Sequence, residues 1–133
     1  MTQPPPRTLA GPEEAARLFA PIAREPVEVL AFAYLGADLG RGRHLLGLRQ
    51  RRSESAHGLD MTIREVAADA LAFGAEALVM AHNHPCGDPT PSDADHAATR
   101  RLAGALDPLG VRLMDHLVLA EGGVTSFRTL GLL

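Results

Sequence analysis

The sequence predicts an α/β domain, a mixed β-sheet with helices packed on its faces. Three observations lead there. A chain of 133 residues suits one compact domain. Hydrophobic residues make up 46 % of it, enough to furnish a core at that length. Apolar runs of strand length also alternate with stretches of helical periodicity, in the order α-β-β-α-β-α-β-β.

Each element has its own signal. Ala15, Ala16, Leu18, Phe19 and Ile22 recur at helical spacing and predict a helix over Glu13 to Arg24. Pro26 then forces extension. Val27 to Leu35 reads as a buried strand, with Gly36, Gly40 and Gly42 forming the turn after it and His44 to Arg49 its hairpin partner. Ser53 to Met61 is poorly patterned and is expected to hold a loop and a short strand. Thr62 to Phe73 predicts a second helix, stopped by Gly74. Ala77 to Ala81 is an apolar strand of the doubly covered kind. A proline-rich loop from Pro85 to Pro91 leads to a third helix over Ser92 to Leu106, ended near Pro108 and Gly110. Val111 to Ala120 and Val124 to Phe127 are the last strands, before a turn at Thr129 to Leu133.

Composition excludes several classes. Charged residues at 22 % and a net charge of -3 describe an ordinary soluble surface, whereas a protein that wraps nucleic acid needs a basic footprint. The clusters Arg49, Arg51, Arg52 and Arg100, Arg101 read as solvated faces. A single cysteine, Cys86, excludes an internal disulfide and a multi-cysteine zinc site, and fits a reducing cytoplasm. No apolar run reaches the ~18 residues of a membrane span. The N-terminus lacks the basic-then-apolar order of a signal peptide. Residues 1–12 are expected to be a disordered proline-rich lead, and residues 13–133 the domain.

The stretch from Ala81 to Asp95 carries the chemistry: it leaves a strand, makes a loop and enters a helix. Residues two apart on a strand share a side, so His82 and His84 can direct both imidazoles at one point past the strand end. Asp95 falls on the first helical turn, where the dipole favours a carboxylate. Two histidines and one carboxylate make a three-ligand set with a fourth position left for water, as in catalytic zinc sites. The same residues have a plainer reading. Ser92 is a good N-cap and Asp95 its back-bonding partner three residues on. Spacing alone therefore reaches a possible metal site and leaves both readings open.

His82-x-His84-Pro85 followed by Ser92-x-x-Asp95 resembles the JAMM signature of the JAB/MPN metalloprotease family. The fuller run His82-Asn83-His84-Pro85-x-Gly87-Asp88-Pro89-Thr90-Pro91-Ser92-x-x-Asp95 is similar to the bacterial RadC-type branch. Arg64-Glu65-Val66, Asp115-His116, and Ser126-Phe127 with Gly131 extend the likeness, which runs from about Glu13 to the end. The resemblance implies a JAB/MPN, cytidine-deaminase-like fold and one zinc ion held by His82, His84 and Asp95. It implies hydrolysis of a peptide, isopeptide or other amide bond. It places the general acid/base on Glu28, with Glu25 and Glu54 as rivals, and gives Ser92 a part in stabilising the oxyanion. Behind the ligands, His116 and its neighbour Asp115 match the family's Asp-His pair and are expected to support the metal shell.

Cys86 stands where RadC-type sequences usually carry serine, and is expected to be a passive small residue. The Pro85-Cys86 pair also suggests a zinc deaminase, but no glutamate follows His82 and no second cysteine exists. Longer RadC-type proteins carry a DNA-binding helix-hairpin-helix ahead of this domain. Too few residues precede Glu13 for one, so DNA is a weakly supported partner. A non-catalytic binding module is the other alternative. His44, His57 and His96 are expected on the surface.

Overall fold

The computed structural model describes residues 8–52 and 58–133, the side chains of residues 58–61 excepted. Strands β1 (Thr8–Leu9), β2 (Val29–Asp38), β3 (Arg43–Arg52), β4 (Ala77–Asn83), β5 (Arg112–Ala120) and β6 (Gly123–Ser126) form a six-stranded sheet in the order β1-β3-β2-β4-β5-β6. Among the described strands β4 and β5 pair in parallel and the other pairs are antiparallel. Helices α1 (Pro12–Phe19), α2 (Gly58–Phe73) and α3 (Asp93–Leu106) complete the mixed α/β architecture. None of the described helices is long and apolar enough to cross a membrane.

The sheet separates two apolar layers. On one face α1 and the 3-10 turn after it set Ala15, Phe19 and Ile22 against Ala31, Ala33, Val79, Ala81 and Leu117. On the other, α2 and α3 set Val66, Ala70, Leu102 and Leu106 against Phe32, Tyr34, Leu78 and Met80. β4 is buried along its whole length, as a central strand covered on both sides must be. α3 is the crossover between the parallel strands β4 and β5, so its N-terminus returns to the carboxyl end of β4. That return builds the site.

Several boundaries depart from expectation for physical reasons. The lead does not extend to residue 12. Thr8 and Leu9 pair with His44 and Arg43, and Leu9, only 5 % exposed, closes the core beneath α1. The first helix breaks at Phe19 into a 3-10 turn over Ala20–Arg24, because Pro21 cannot donate to an α-helical ladder. β2 starts at Val29 rather than Val27, and Gly36 lies inside it rather than in the turn, which Gly40 and Gly42 make at positive φ. Of the segment expected to hold a short strand, residues 58–61 form the first turn of α2, and residues 53–57 lie outside the described residues. Gly74, with φ +67, ends α2 as the sequence predicts.

Candidate metal centre

β4 continues two residues past Ala81, so His82 sits on the strand itself, buried and paired in register with Leu30 of β2 and Val118 of β5. His84 lies just beyond the strand end, where its backbone amide still bonds the Leu119 carbonyl. The loop then turns at Gly87, whose φ of +91 suits glycine, and folds back so that the Asp88 carbonyl lies 2.9 Å from His84 Nδ1. A carbonyl only accepts, so Nδ1 of His84 carries a proton and Nε2 is the ring nitrogen turned toward His82 and Asp95. Asp88 is itself tied into the loop by the amide and hydroxyl of Thr90.

α3 opens on a capping box. Ser92 Oγ accepts from the Asp95 amide at 3.1 Å, and the Ser92 amide donates to Asp95 Oδ2 at 2.8 Å. The cap and the possible ligand are therefore the same carboxylate. Its Oδ1 is 3.2 Å from His82 Nε2 and its Oδ2 is 3.1 Å from His84 Nε2. The two Nε2 atoms are 2.9 Å apart. Tetrahedral zinc with bonds of ~2.0–2.1 Å would set its ligand atoms ~3.3 Å apart, so two nitrogens and a carboxylate at these spacings fit such an ion. His82, His84 and Asp95 are the group among the described residues that could hold a metal. Burial opposes ionisation of Asp95, but His82 and the Ser92 amide beside it outweigh that and hold the carboxyl well below the usual carboxylate range. The carboxylate is thus ready as an anion at neutral pH.

Glu28 lies just before β2, with Oε1 3.9 Å from His82 Nε2 and its side chain 44 % exposed. Its rival Glu25 contributes a backbone carbonyl to Asn83 instead, and Glu54 lies outside the described residues. Asn83 was not singled out by the sequence, although it stands between the two histidines. Its Oδ1 accepts from the Val29 amide at 2.6 Å, and its Nδ2 donates to the carbonyls of Glu25 and Val27 at 3.1 and 3.0 Å. One buried amide thereby holds the segment that carries Glu28.

His116 and Asp115 part company. His116 Nε2 is 2.7 Å from His82 Nδ1, directly behind the cluster. Burial, then the nearby charge of His82, pushes the His116 imidazole down to about 3, so the ring is neutral at physiological pH. Asp115 faces the opposite side of the sheet and does not support the metal shell. Its carboxylate accepts from the His116 and Arg128 amides and from Ser126 Oγ, pinning the C-terminal turn. A register shift between Leu78 and Val79, which sets Val79 opposite Asp115, decides which of the two faces the site. Thr99, also absent from the sequence reading, bonds His116 Nδ1 at 2.6 Å. Its one sequence signal was its position four residues after Asp95, on the same helix face.

Of the other histidines, His44 is exposed and His57 lies outside the described residues. His96 is half-buried rather than on the open surface, its ring 5.2 Å from that of Phe127. Cys86 is exposed and belongs to no metal-competent group among the described residues.

A mixed sheet with two histidines and an aspartate converging at the carboxyl end of a central strand defines an α/β domain with a candidate divalent-metal centre. The chain belongs to the RadC-like JAB domain family, whose model matches residues 9–132. A UPF0758 protein of Symbiobacterium thermophilum is 53 % identical over 70 residues, covering 53 % of this chain and 30 % of that protein. One from Xanthomonas axonopodis pv. citri is 35 % identical over 125 residues, covering 92 % of this chain and 53 % of its own length. A third, from Methylibium petroleiphilum, is 39 % identical over 112 residues, with 84 % and 49 % covered. The chain thus spans about half or less of the length of these relatives.

Proposed function

We propose that this domain is a zinc-dependent hydrolase of the JAMM type that cleaves a peptide, isopeptide or other amide bond. The observation that carries the reading is Glu28, a half-exposed carboxylate 3.9 Å from His82 Nε2 and not needed to complete the three-ligand set. A metal centre built only for structure has four protein ligands and no use for a free carboxylate at its rim.

His82, His84 and Asp95 would hold the ion. When bound, zinc supplies Lewis-acid chemistry that makes water nucleophilic near neutral pH. Glu28 is placed to accept a proton from the attacking water and to return it to the leaving amine. Exposure suits that duty, since water and substrate arrive from solvent. Ser92 Oγ accepts one bond from the Asp95 amide and retains its own hydroxyl proton, which it can donate to an oxyanion. The substrate is a peptide or amide-linked partner.

A peptide and isopeptide library screened with Glu28→Gln as control tests the reading. The variant should keep zinc and lose hydrolysis. Hydrolysis that survives the substitution would remove Glu28 from the reaction, and loss of zinc would make it a ligand. Metal without any hydrolysis in the unaltered chain would favour a binding module. Salt-dependent binding of DNA would favour a DNA-associated accessory protein. Two arginines of the basic β3 cluster offer little for that role: Arg49 pairs with Asp69 at 3.7 Å, and Arg51 pairs with Glu65.

A further inference from the structure

Behind the candidate centre, buried polar groups form a chain. His82 Nδ1 meets His116 Nε2 at 2.7 Å, His116 Nδ1 meets Thr99 Oγ1 at 2.6 Å, and Thr99 Oγ1 meets the Asp95 carbonyl at 2.7 Å. The polarity of the chain follows from its one fixed end. A carbonyl oxygen only accepts, so Thr99 commits its single hydroxyl proton to Asp95. Toward His116 the threonine oxygen can then only accept, which puts the His116 proton on Nδ1. With its proton on Nδ1, the buried His116 ring presents Nε2 to His82 as a lone pair. That lone pair requires a proton on Nδ1 of His82. Nε2 of His82 is left facing His84 and Asp95.

We propose that Thr99, acting through His116, is a positioning residue that fixes the ring orientation and proton placement of His82 so that Nε2 faces the metal. The inference rests on the metal reading of His82, His84 and Asp95 and extends it by two residues. Thr99 is well placed for this. It stands one helical turn after Asp95, and its donor bond to the carbonyl four residues back is the ordinary helical geometry of a threonine. The same oxygen therefore touches the residue that carries one ligand and, through His116, the ring of another. Four elements' worth of geometry passes through it: β4 supplies His82, β5 His116, and α3 both Thr99 and Asp95, while the loop after β4 adds His84. A space-filling role alone would not depend on the hydroxyl.

Valine at this position keeps the branched shape and removes both bonds, whereas serine keeps the hydroxyl. The test is a zinc titration of the full chain against a competing chelator, for the unaltered protein, Thr99→Val and Thr99→Ser. It is joined to nitrogen-15 NMR of the imidazole rings in the metal-free unaltered protein. The NMR should find the His116 proton on Nδ1, the tautomer a free histidine in water disfavours. Thr99→Val should weaken zinc by about 10-fold and shift the His116 proton toward Nε2. That is the low end of what losing a hydrogen-bond partner directly behind a metal ligand costs, because Thr99 acts through His116. Thr99→Ser should stay close to the unaltered protein on both readouts. A His116 proton found on Nε2 in the unaltered protein overturns the inference, as does Thr99→Val binding zinc undiminished. Should Thr99→Val not fold, the tautomer in the unaltered protein and the serine variant still decide. If the unaltered chain binds no zinc, the metal reading is what fails, and the tautomer separately settles the relay.

Discussion

The two faces of the β4–β5 pair carry equally buried polar side chains, yet they end in different ways. On the α1 face, Asn83 and Asp115 direct their hydrogen bonds to backbone amides, backbone carbonyls and one serine, and nothing points elsewhere. On the α3 face, the bonds run from Thr99 through His116 to His82 and stop at a nitrogen that shares its neighbourhood with His84 Nε2 and Asp95. Two such nitrogens at 2.9 Å repel unless a proton or a cation lies between them. Buried polar groups whose bonds close on the backbone hold a fold together. Buried polar groups whose bonds lead to a cluster of metal-competent atoms point to a candidate binding site.

Substituting the closed side should cost stability and leave the metal ligands in place. Asn83→Ala strands the buried Val29 amide, which costs ~1–3 kcal/mol, and releases the part-buried carbonyls of Glu25 and Val27, which water can partly satisfy. A loss of ~1–3 kcal/mol in urea unfolding is expected, with zinc affinity changed only a few-fold in the fraction that folds. A large loss of zinc binding at unchanged stability would erase the distinction between the faces.

The open side should reveal itself in the pH dependence of the metal-free protein. His116 is pushed by burial from an ordinary 6.5 to about 3. Below about 6.5 the unfolded chain binds a proton at this position that the folded chain does not, so stability falls as pH drops toward the folded value. The slope should reach at most ~1.4 kcal/mol per pH unit from this one group. Urea midpoints that stay flat between about pH 6.5 and about pH 5 would show that the native protein accommodates a charged His116.

Ser92 sits at the junction of structure and chemistry, and its substitution has the smallest expected effect on folding. Ser92→Ala removes the side-chain cap but keeps the backbone bond to Asp95, so ~1 kcal/mol of stability should go and zinc should stay. A fall in hydrolysis beyond what that loss explains would assign the hydroxyl to the oxyanion; an unchanged rate would leave Ser92 as a cap alone.

Much of this was legible locally. The helical stripe of Ala70 and Val66, the uninterrupted apolar run of β4, the stop at Gly74 and the capping pair Ser92 and Asp95 are all short-range patterns. The same is true of His82 and His84, two residues apart at the end of that run. Long-range placements were not legible in this way. Nothing near Leu9 announces that two residues will pair with β3 and close the core, because the pairing partner lies 34 positions away in the case of Arg43. Asp115 and His116 are adjacent polar residues in an apolar strand, and alternation cannot say which faces the histidines once an irregularity between Leu78 and Val79 resets the phase.

Local patterning decides which residues can form a helix or strand, since backbone hydrogen bonds and side-chain periodicity act over a few residues. Strand pairing decides which side chains meet. That is why the motif around His82 could be read from the chain, while the approach of Glu28, the clamp by Asn83 and the line from Thr99 to His82 required β2, β4, β5 and α3 to be assembled.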